Sequence, residues 1–411
     1  MKILFVHQNF PGQFTHLAKA LAADPANEVI ALSARKNSPV TWQGVQIIEY
    51  KVPAVKLHHE AWIADFEAKT IRAEMCFQEA KKLREGGFIP DIIVAHPSWG
   101  ESLYLKEVWP KAKLGIYCEF FYRAYGADVN FDTQQSPFDP ATIHRFNLKN
   151  INHLLHLEIA DLGISPTQWQ ASTFPAHFQK KISVIHDGID TNLVKPSSEA
   201  FVLLNGTERF TKNNEVITFI NRNLEPYRGY HIFMQALPQI LKARPKAHIF
   251  LIGGTEVSYG PPPRDGGSWA AIFAKEAKSQ ISDEDWKRVH FLGKLPYLDY
   301  LAVLQISSAH VYLTYPFVLS WSLLEAMSAG CPIIASGTAP VKEFLQDRDN
   351  ALLIDFFDTQ ALVDGLNLIL GDPKLAKRMG GSARTFVQNH CDLTRICLPQ
   401  QLAWIDRLMC T

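Results

Sequence analysis

A chain of 411 residues has the length of two domains, and its 47% hydrophobic and 20% charged residues are ordinary globular composition, which excludes a disordered, collagenous or coiled-coil protein. Lys and Arg total 41 and so do Asp and Glu, so there is no global basic field and no nucleic-acid partner is expected. The apolar run after Met1 is too short for a signal segment, and no stretch of about 18 apolar residues follows. The six cysteines, Cys76, Cys118, Cys331, Cys391, Cys397 and Cys410, show no CxxC spacing. Reduced structural thiols in a cytoplasmic protein are expected.

In chain order, residues 3–6 read as a strand, 7–13 as a loop, and Leu17, Ala20 and Leu21 as one face of a helix. Residues 92–95, 113–117, 162–164 and 182–185 repeat the short apolar strand. Such strands separated by helical stretches predict a parallel sheet covered on both faces. Residues 196–214, with Pro196, Ser197, Ser198, Asn205 and Gly206, read as a linker. Strands resume at 216–220, 248–252, 289–292, 310–314, 332–335 and 351–354. The expectation is therefore an α/β protein of two Rossmann-like domains, 1–195 and 215–390, facing across a cleft, with a helix in 391–411 returning to the first. Ligands of such sheets sit at the carboxyl ends of the strands.

Several residues fall at those ends. Gly12, in Phe10-Pro11-Gly12-Gln13, permits close approach of a ligand to the backbone or simply makes a turn. His96 follows a strand; it points a hydrogen bond into the cleft or is an ordinary core histidine. Glu119 and Arg123 follow the next strand and either bind sugar hydroxyls and phosphate on the acceptor side or pair with each other. Arg222 and Arg228 flank a turn at the first strand end of the second domain, where guanidinium forks match phosphate oxygens. Ser322 reads as an N-cap and Gly330 as a helix stop, so the amides of Ser320, Trp321, Ser322 and Leu323 could hold a diphosphate. Glu325 then accepts ribose hydroxyls or, with Ser322, completes a capping box. The loop 255–269, rich in Gly and Pro, reads as a mobile lid or as a plain exposed loop.

The arginine turn, the Leu323-Leu324-Glu325-Ala326-Met327 helix with Gly330 and Pro332, the run from Ile185 to Thr191 and the glycine loop after the first strand resemble glycosyltransferase family 4 over nearly the whole chain. The segments His7 to Phe14 and Ser258 to Pro261 are most similar to bacterial enzymes of exopolysaccharide and surface-polysaccharide assembly. The resemblance implies a GT-B fold, a nucleotide-sugar donor held mainly by the second domain, a retaining transfer and no cofactor or metal. By position, Arg222 and Arg228 would bind the diphosphate and Glu325 the ribose. Gly12 and His96 would border the reacting sugar, and Gly293 and Leu295 would lie beside the base. The acceptor would be a glycan or a lipid-linked hydroxyl, with peripheral association at the inner membrane face. Lys56, Arg72, Lys81, Lys82 and Arg84 fit that docking, although interspersed acids fit a solvated helix better. One departure stands out: Phe317 occupies the place of the family's first motif Glu, a group that touches donor-sugar hydroxyls. Alternatives of other kinds are a non-catalytic nucleotide-sugar-binding protein and a nucleotide-sugar epimerase. A dinucleotide dehydrogenase is disfavoured by the absence of GxGxxG after the first strand.

Overall fold

The computed structural model describes residues 1–135 and 143–411. They form two compact units. The first comprises the described residues of Met1–Ala124, Asp139–Gly188 and Leu393–Thr411, the second those of Tyr125–Phe138 and Ile189–Asp392.

The first unit holds one sheet of eight strands: β1 (Lys2–Val6), β2 (Glu28–Ser33), β3 (Thr41–Trp42), β4 (Val45–Glu49), β5 (Ile92–Ala95), β6 (Lys113–Tyr117), β7 (Leu162–Ser165) and β8 (Ile182–Val184). Their order is β3-β4-β2-β1-β5-β6-β7-β8, and only the two-residue edge strand β3 pairs antiparallel. Ile92 to Ala95 are all buried, as a central parallel strand covered on both faces requires. The winding reverses between β1 and β5, which puts a crevice beyond their carboxyl ends. The helix Leu398–Met409 belongs to this unit. Its Trp404 is 2% exposed and donates to the Gly163 carbonyl at 3.2 Å. A Cβ on Gly115 would stand 2.5 Å from the Trp404 ring, so glycine in β6 makes room for that helix.

The second unit holds a hairpin, β9 (Phe201–Leu204) and β10 (Glu208–Thr211), and a six-stranded parallel sheet. The sheet strands are β11 (Val216–Asn223), β12 (His248–Gly254), β13 (Val289–Gly293), β14 (Ala309–Tyr312), β15 (Ile333–Ser336) and β16 (Leu352–Ile354). The order β13-β12-β11-β14-β15-β16 is again doubly wound, with the switch between β11 and β14.

Two expectations about the domains need correction. The stretch 196–214 is no linker: its Asn205-Gly206 is the turn of the β9–β10 hairpin, and Leu204 and Phe210 sit in the second unit's core. The described part of 125–138 belongs to the second unit, although the chain on both sides of it belongs to the first. Asp132 anchors it by accepting from His231 Nε2 at 2.9 Å and Tyr315 OH at 2.7 Å, and Asp128 accepts from Tyr227 OH at 2.9 Å. All six cysteines are free thiols, and only Cys410 is exposed. Among the described residues no helix is long and apolar enough to cross a membrane.

Buried histidines make both units acid-sensitive. Burial pushes His7 and His310 down to about 3, and His156 and His186 down to about 4. The unfolded chain takes up these protons near pH 6.5, whereas the folded chain does not until pH 3–4. The stability these groups confer is thus complete above pH 6.5 and is lost as pH falls, by up to roughly 3 kcal/mol for a buried group of this kind. Melting temperature should fall steadily between pH 6.5 and 4; a flat profile would contradict the burial.

Candidate functional site

At the carboxyl ends of β11 and β12 the second unit opens a pocket of about 400 Å³. Arg222 on β11, Gly253 on β12, Leu295 after β13, and Ser320, Trp321, Ser322 and Glu325 line it. The structure therefore brings together six of the residues singled out in the sequence. Arg222 is exposed and makes no hydrogen bond or ion pair among the described residues, so its guanidinium is available to an anion. Lys294 also lines the pocket but is paired with Glu256 at 2.7 Å. Gly293, at φ +64°, lies just before these residues and turns the chain there without lining the pocket.

The helix Trp321–Ser328 begins two residues earlier than expected. Ser320, not Ser322, is its N-cap, with Oγ accepting from Ser322 N at 3.3 Å. Glu325 is consequently not placed three residues after the cap, and the expected capping box does not form. Instead its Oε1 accepts from Tyr297 OH and its Oε2 from Tyr300 OH, both at 2.7 Å. Two tyrosines thus fix the carboxylate in the pocket wall. Each carboxylate oxygen can accept more than one hydrogen bond, which leaves acceptor capacity for ligand hydroxyls. The expected phosphate-binding amides fare less well. Ser320 N donates to Tyr312 OH at 3.0 Å, and Leu323 N to Ser320 O at 3.2 Å. These amides and that of Ser322 have internal acceptors, and the Leu323 side chain is core.

Arg228 sits on the turn after β11, as expected, but is closed off from this pocket. It is 4% exposed and donates from Nη1 to Thr314 Oγ1 at 2.8 Å and to the Val318 carbonyl at 3.0 Å, beneath the Tyr259 ring. It supports the floor behind the pocket rather than lining it. Phe317 is buried beside it, edge-on to Tyr227 and Tyr259. A carboxylate there would be desolvated among rings, so Phe317 is consistent with its surroundings. The loop 255–269 is tied at its stem: the buried Glu225 carboxylate accepts from Ser258 N and Tyr259 N at about 3 Å, and Trp269 Nε1 donates to Pro261 O. Burial raises the pKa of Glu225. Glu225→Gln keeps an acceptor oxygen and should leave the loop in place, whereas Glu225→Ala strands two amides. The Ala variant should lose roughly 1–3 kcal/mol and be cut faster by protease within residues 262–267. Equal cleavage of both variants would contradict this anchoring.

The first unit presents a second polar group at its own switch point, at the ends of β1, β5 and β6. Asn9 N donates to His7 Nδ1 at 3.0 Å, so the His7 proton is on Nε2 and is given to Gln13 Oε1 at 2.9 Å. Gln13 Nε2 then donates to Glu119 Oε1 at 2.9 Å. On the other side His96 accepts from Ser98 N through Nδ1, and its Nε2 stands 3.5 Å from Glu119 Oε2. Burial raises the Glu119 pKa, but His96 and Gln13 outweigh it and hold the carboxyl below the usual range. His96 itself is fully buried between Trp99 and Tyr117, both stacked on it. It is placed to orient Glu119, and Glu119, a quarter exposed, is the group that can meet a ligand. Gly12 packs against the His7 ring. Arg123 is not part of this group: it donates to the carbonyls of Ser172 and Thr173 and holds a neighbouring segment. The roles of His7 and Gln13 went unassigned in the sequence, where they read only as parts of a loop.

Two doubly wound units with polar sites at their switch points are the architecture of GT-B glycosyltransferases. Residues 25–194 match the family described as glycosyl transferase family 4 group, and residues 206–386 match glycosyl transferases group 1. The chain belongs to glycosyltransferase family 4. It is similar to a D-inositol 3-phosphate glycosyltransferase of Segniliparus rotundus, 19% identical over 86% of this chain and 75% of that one. A GDP-mannose-dependent monoacylated alpha-(1-6)-phosphatidylinositol monomannoside mannosyltransferase of Corynebacterium glutamicum is 26% identical over 44% of each. Among solved structures, sucrose-phosphate synthase of Thermosynechococcus elongatus superposes with a TM-score of 0.76 at 18% identity, covering 100% of both chains. Anabaena HepE, solved in complex with UDP-glucose, superposes with a TM-score of 0.69 at 17% identity over 99% of each. These superpositions bear on the fold.

Proposed function

We propose that the protein is a retaining glycosyltransferase that moves a sugar from a nucleotide-sugar donor to a hydroxyl of a glycan or lipid-linked acceptor. The observation that carries this reading is the second unit's pocket, where an unpaired Arg222 and a Glu325 carboxylate fixed by two tyrosines line one cavity. Arg222 takes the diphosphate and stabilises the charge that develops as it leaves; Glu325 accepts the ribose hydroxyls. Arginine carries that charge without a metal, so no metal or cofactor is required. Glu119, aimed by Gln13 and His96, accepts a hydrogen bond from an acceptor hydroxyl. The acceptor attacks on the face the diphosphate leaves, and a donor phosphate oxygen takes its proton. The relatives' names support a polyol acceptor, one being an inositol phosphate enzyme and one a phosphatidylinositol mannoside enzyme. Peripheral association with a membrane surface goes with a lipid-linked acceptor.

The test is transfer from labelled UDP-glucose, UDP-N-acetylglucosamine and GDP-mannose to extracted lipid-linked sugars, with the anomeric configuration of the product read by NMR. A product linked with the donor's own configuration is expected. Neither transfer nor hydrolysis with any donor would overturn the reading in favour of a binding protein.

A further inference from the structure

The six-stranded sheet of the second unit has another cavity, of about 630 Å³, at the opposite end of its strands. Lys212 and Glu215 before β11, Ser308 before β14 and Pro332 before β15 line it, and it shares no lining residue with the pocket around Arg222. One wall is apolar, made by Pro332, Ile369, Leu370 and Pro373. The other carries three cations, Lys212, Lys377 and Arg384. The single carboxylate on the rim does not neutralise them, because Glu215 is held by Arg244 through Nε at 2.8 Å and through Nη2.

The cations are oriented but unpaired. Lys212 Nζ sits on the Ser307 carbonyl. Arg384 donates to the carbonyls of Val194 at 3.1 Å, Thr191 at 3.2 Å and Ser328. Carbonyl oxygens satisfy N–H groups without cancelling charge. Neither side chain has a carboxylate at ion-pair distance among the described residues, and Lys377 has no hydrogen bond or ion pair there. Burial accordingly pulls Lys212 and Arg384 below their ordinary pKa values. Three cations lining one space with no carboxylate partner repel one another, and an anion in the cavity would relieve that repulsion.

We propose that this cavity is a second ligand site, which takes a phosphate monoester with a short aliphatic body. Three cations around one space favour a dianionic head, and the Pro332, Ile369 and Pro373 wall takes the apolar part. The site is independent of the donor reading. Titration calorimetry of the full chain with hexyl phosphate tests it, with inorganic phosphate and hexanol as the two halves of the probe. Hexyl phosphate should bind, inorganic phosphate at least tenfold more weakly because the apolar burial is missing, and hexanol not measurably. Lys377→Glu, on an exposed helical face, and Ala376→Trp, which fills the cavity, should each weaken binding at least tenfold with melting temperature preserved. Saturating UDP should leave hexyl phosphate binding unchanged. No binding to the unmodified protein, unmodified affinity in both variants, inorganic phosphate as tight as the ester, or displacement by UDP would each overturn the proposal. Failure of UDP to bind at all would count against the donor pocket alone.

Discussion

Arg222→Ala and Arg228→Ala should give opposite signatures, although the two arginines stand six residues apart on one turn. Arg228 is buried, and its loss strands Thr314 Oγ1 and the Val318 carbonyl and removes the cation under the Tyr259 ring. Leaving a buried acceptor unsatisfied costs roughly 1–3 kcal/mol, so the variant should melt well below the unmodified protein. Arg222 is exposed and makes no internal bond. Its loss should change stability by less than about 0.5 kcal/mol. Donor binding should nevertheless weaken by roughly 1.5–3 kcal/mol, the worth of a hydrogen bond to a charged group. Thermal melts and donor titrations on the same two variants check both halves. An Arg228→Ala protein that melts normally, or an Arg222→Ala protein with full donor affinity, would contradict the placement of that residue.

Gly12→Ala should be a strongly damaging small substitution in the first unit. Gly12 has φ +50°, and a Cβ there would stand 2.3 Å from the His7 ring. That ring cannot simply rotate away, since Asn9 N and Gln13 hold both of its nitrogens. Backbone strain and overlap together should cost roughly 2–4 kcal/mol. Displacing His7 also frees Gln13, and Glu119 then loses its fixed aim. Gly87→Ala is the control: its φ is +90° but nothing lies within 4 Å of the added Cβ, so it reports strain alone. Gly12→Ala should lose more stability than Gly87→Ala and should also lose transfer activity. Equal losses, with activity retained in both, would show that the His7–Gln13–Glu119 chain does not matter.

The sheets were legible because parallel strands buried on both faces are short continuous apolar runs, and those of β1, β5 and β11 to β16 are read directly from the residues. The strands β2 and β4 carry the same code more faintly, since each is flanked by polar and turn residues. The β9–β10 hairpin resembles a linker in composition, because its short strands bury few residues around Asn205-Gly206 and turn residues dominate. The assignment of the described part of 125–138 to the second unit had no local signal at all. It rests on Asp132 meeting His231 and Tyr315, residues about 100 and 183 positions away. In the site, position along the chain identified Arg222, the Ser320–Ser322 helix start and Glu325, since strand ends are where ligands bind. It could not tell that Arg228 and His96 point into protein. A two-residue shift in the helix start, from Ser322 to Ser320, removes the capping box, and two tyrosines hold Glu325 instead.

Arg222 and Glu325 are proposed to hold a nucleotide sugar. Titrating a panel of uridine, guanosine and adenosine diphosphate sugars into the unmodified protein and Glu325→Gln, with a thermal melt of each, tests it most directly. One donor should bind, and Glu325→Gln should weaken it at least tenfold. The amide removes a charged acceptor; one tyrosine hydroxyl can still donate to its oxygen, and the other can accept from its N–H. Melting temperature should barely move. Binding of no nucleotide sugar, or wild-type affinity in the Gln variant, would contradict the assignment.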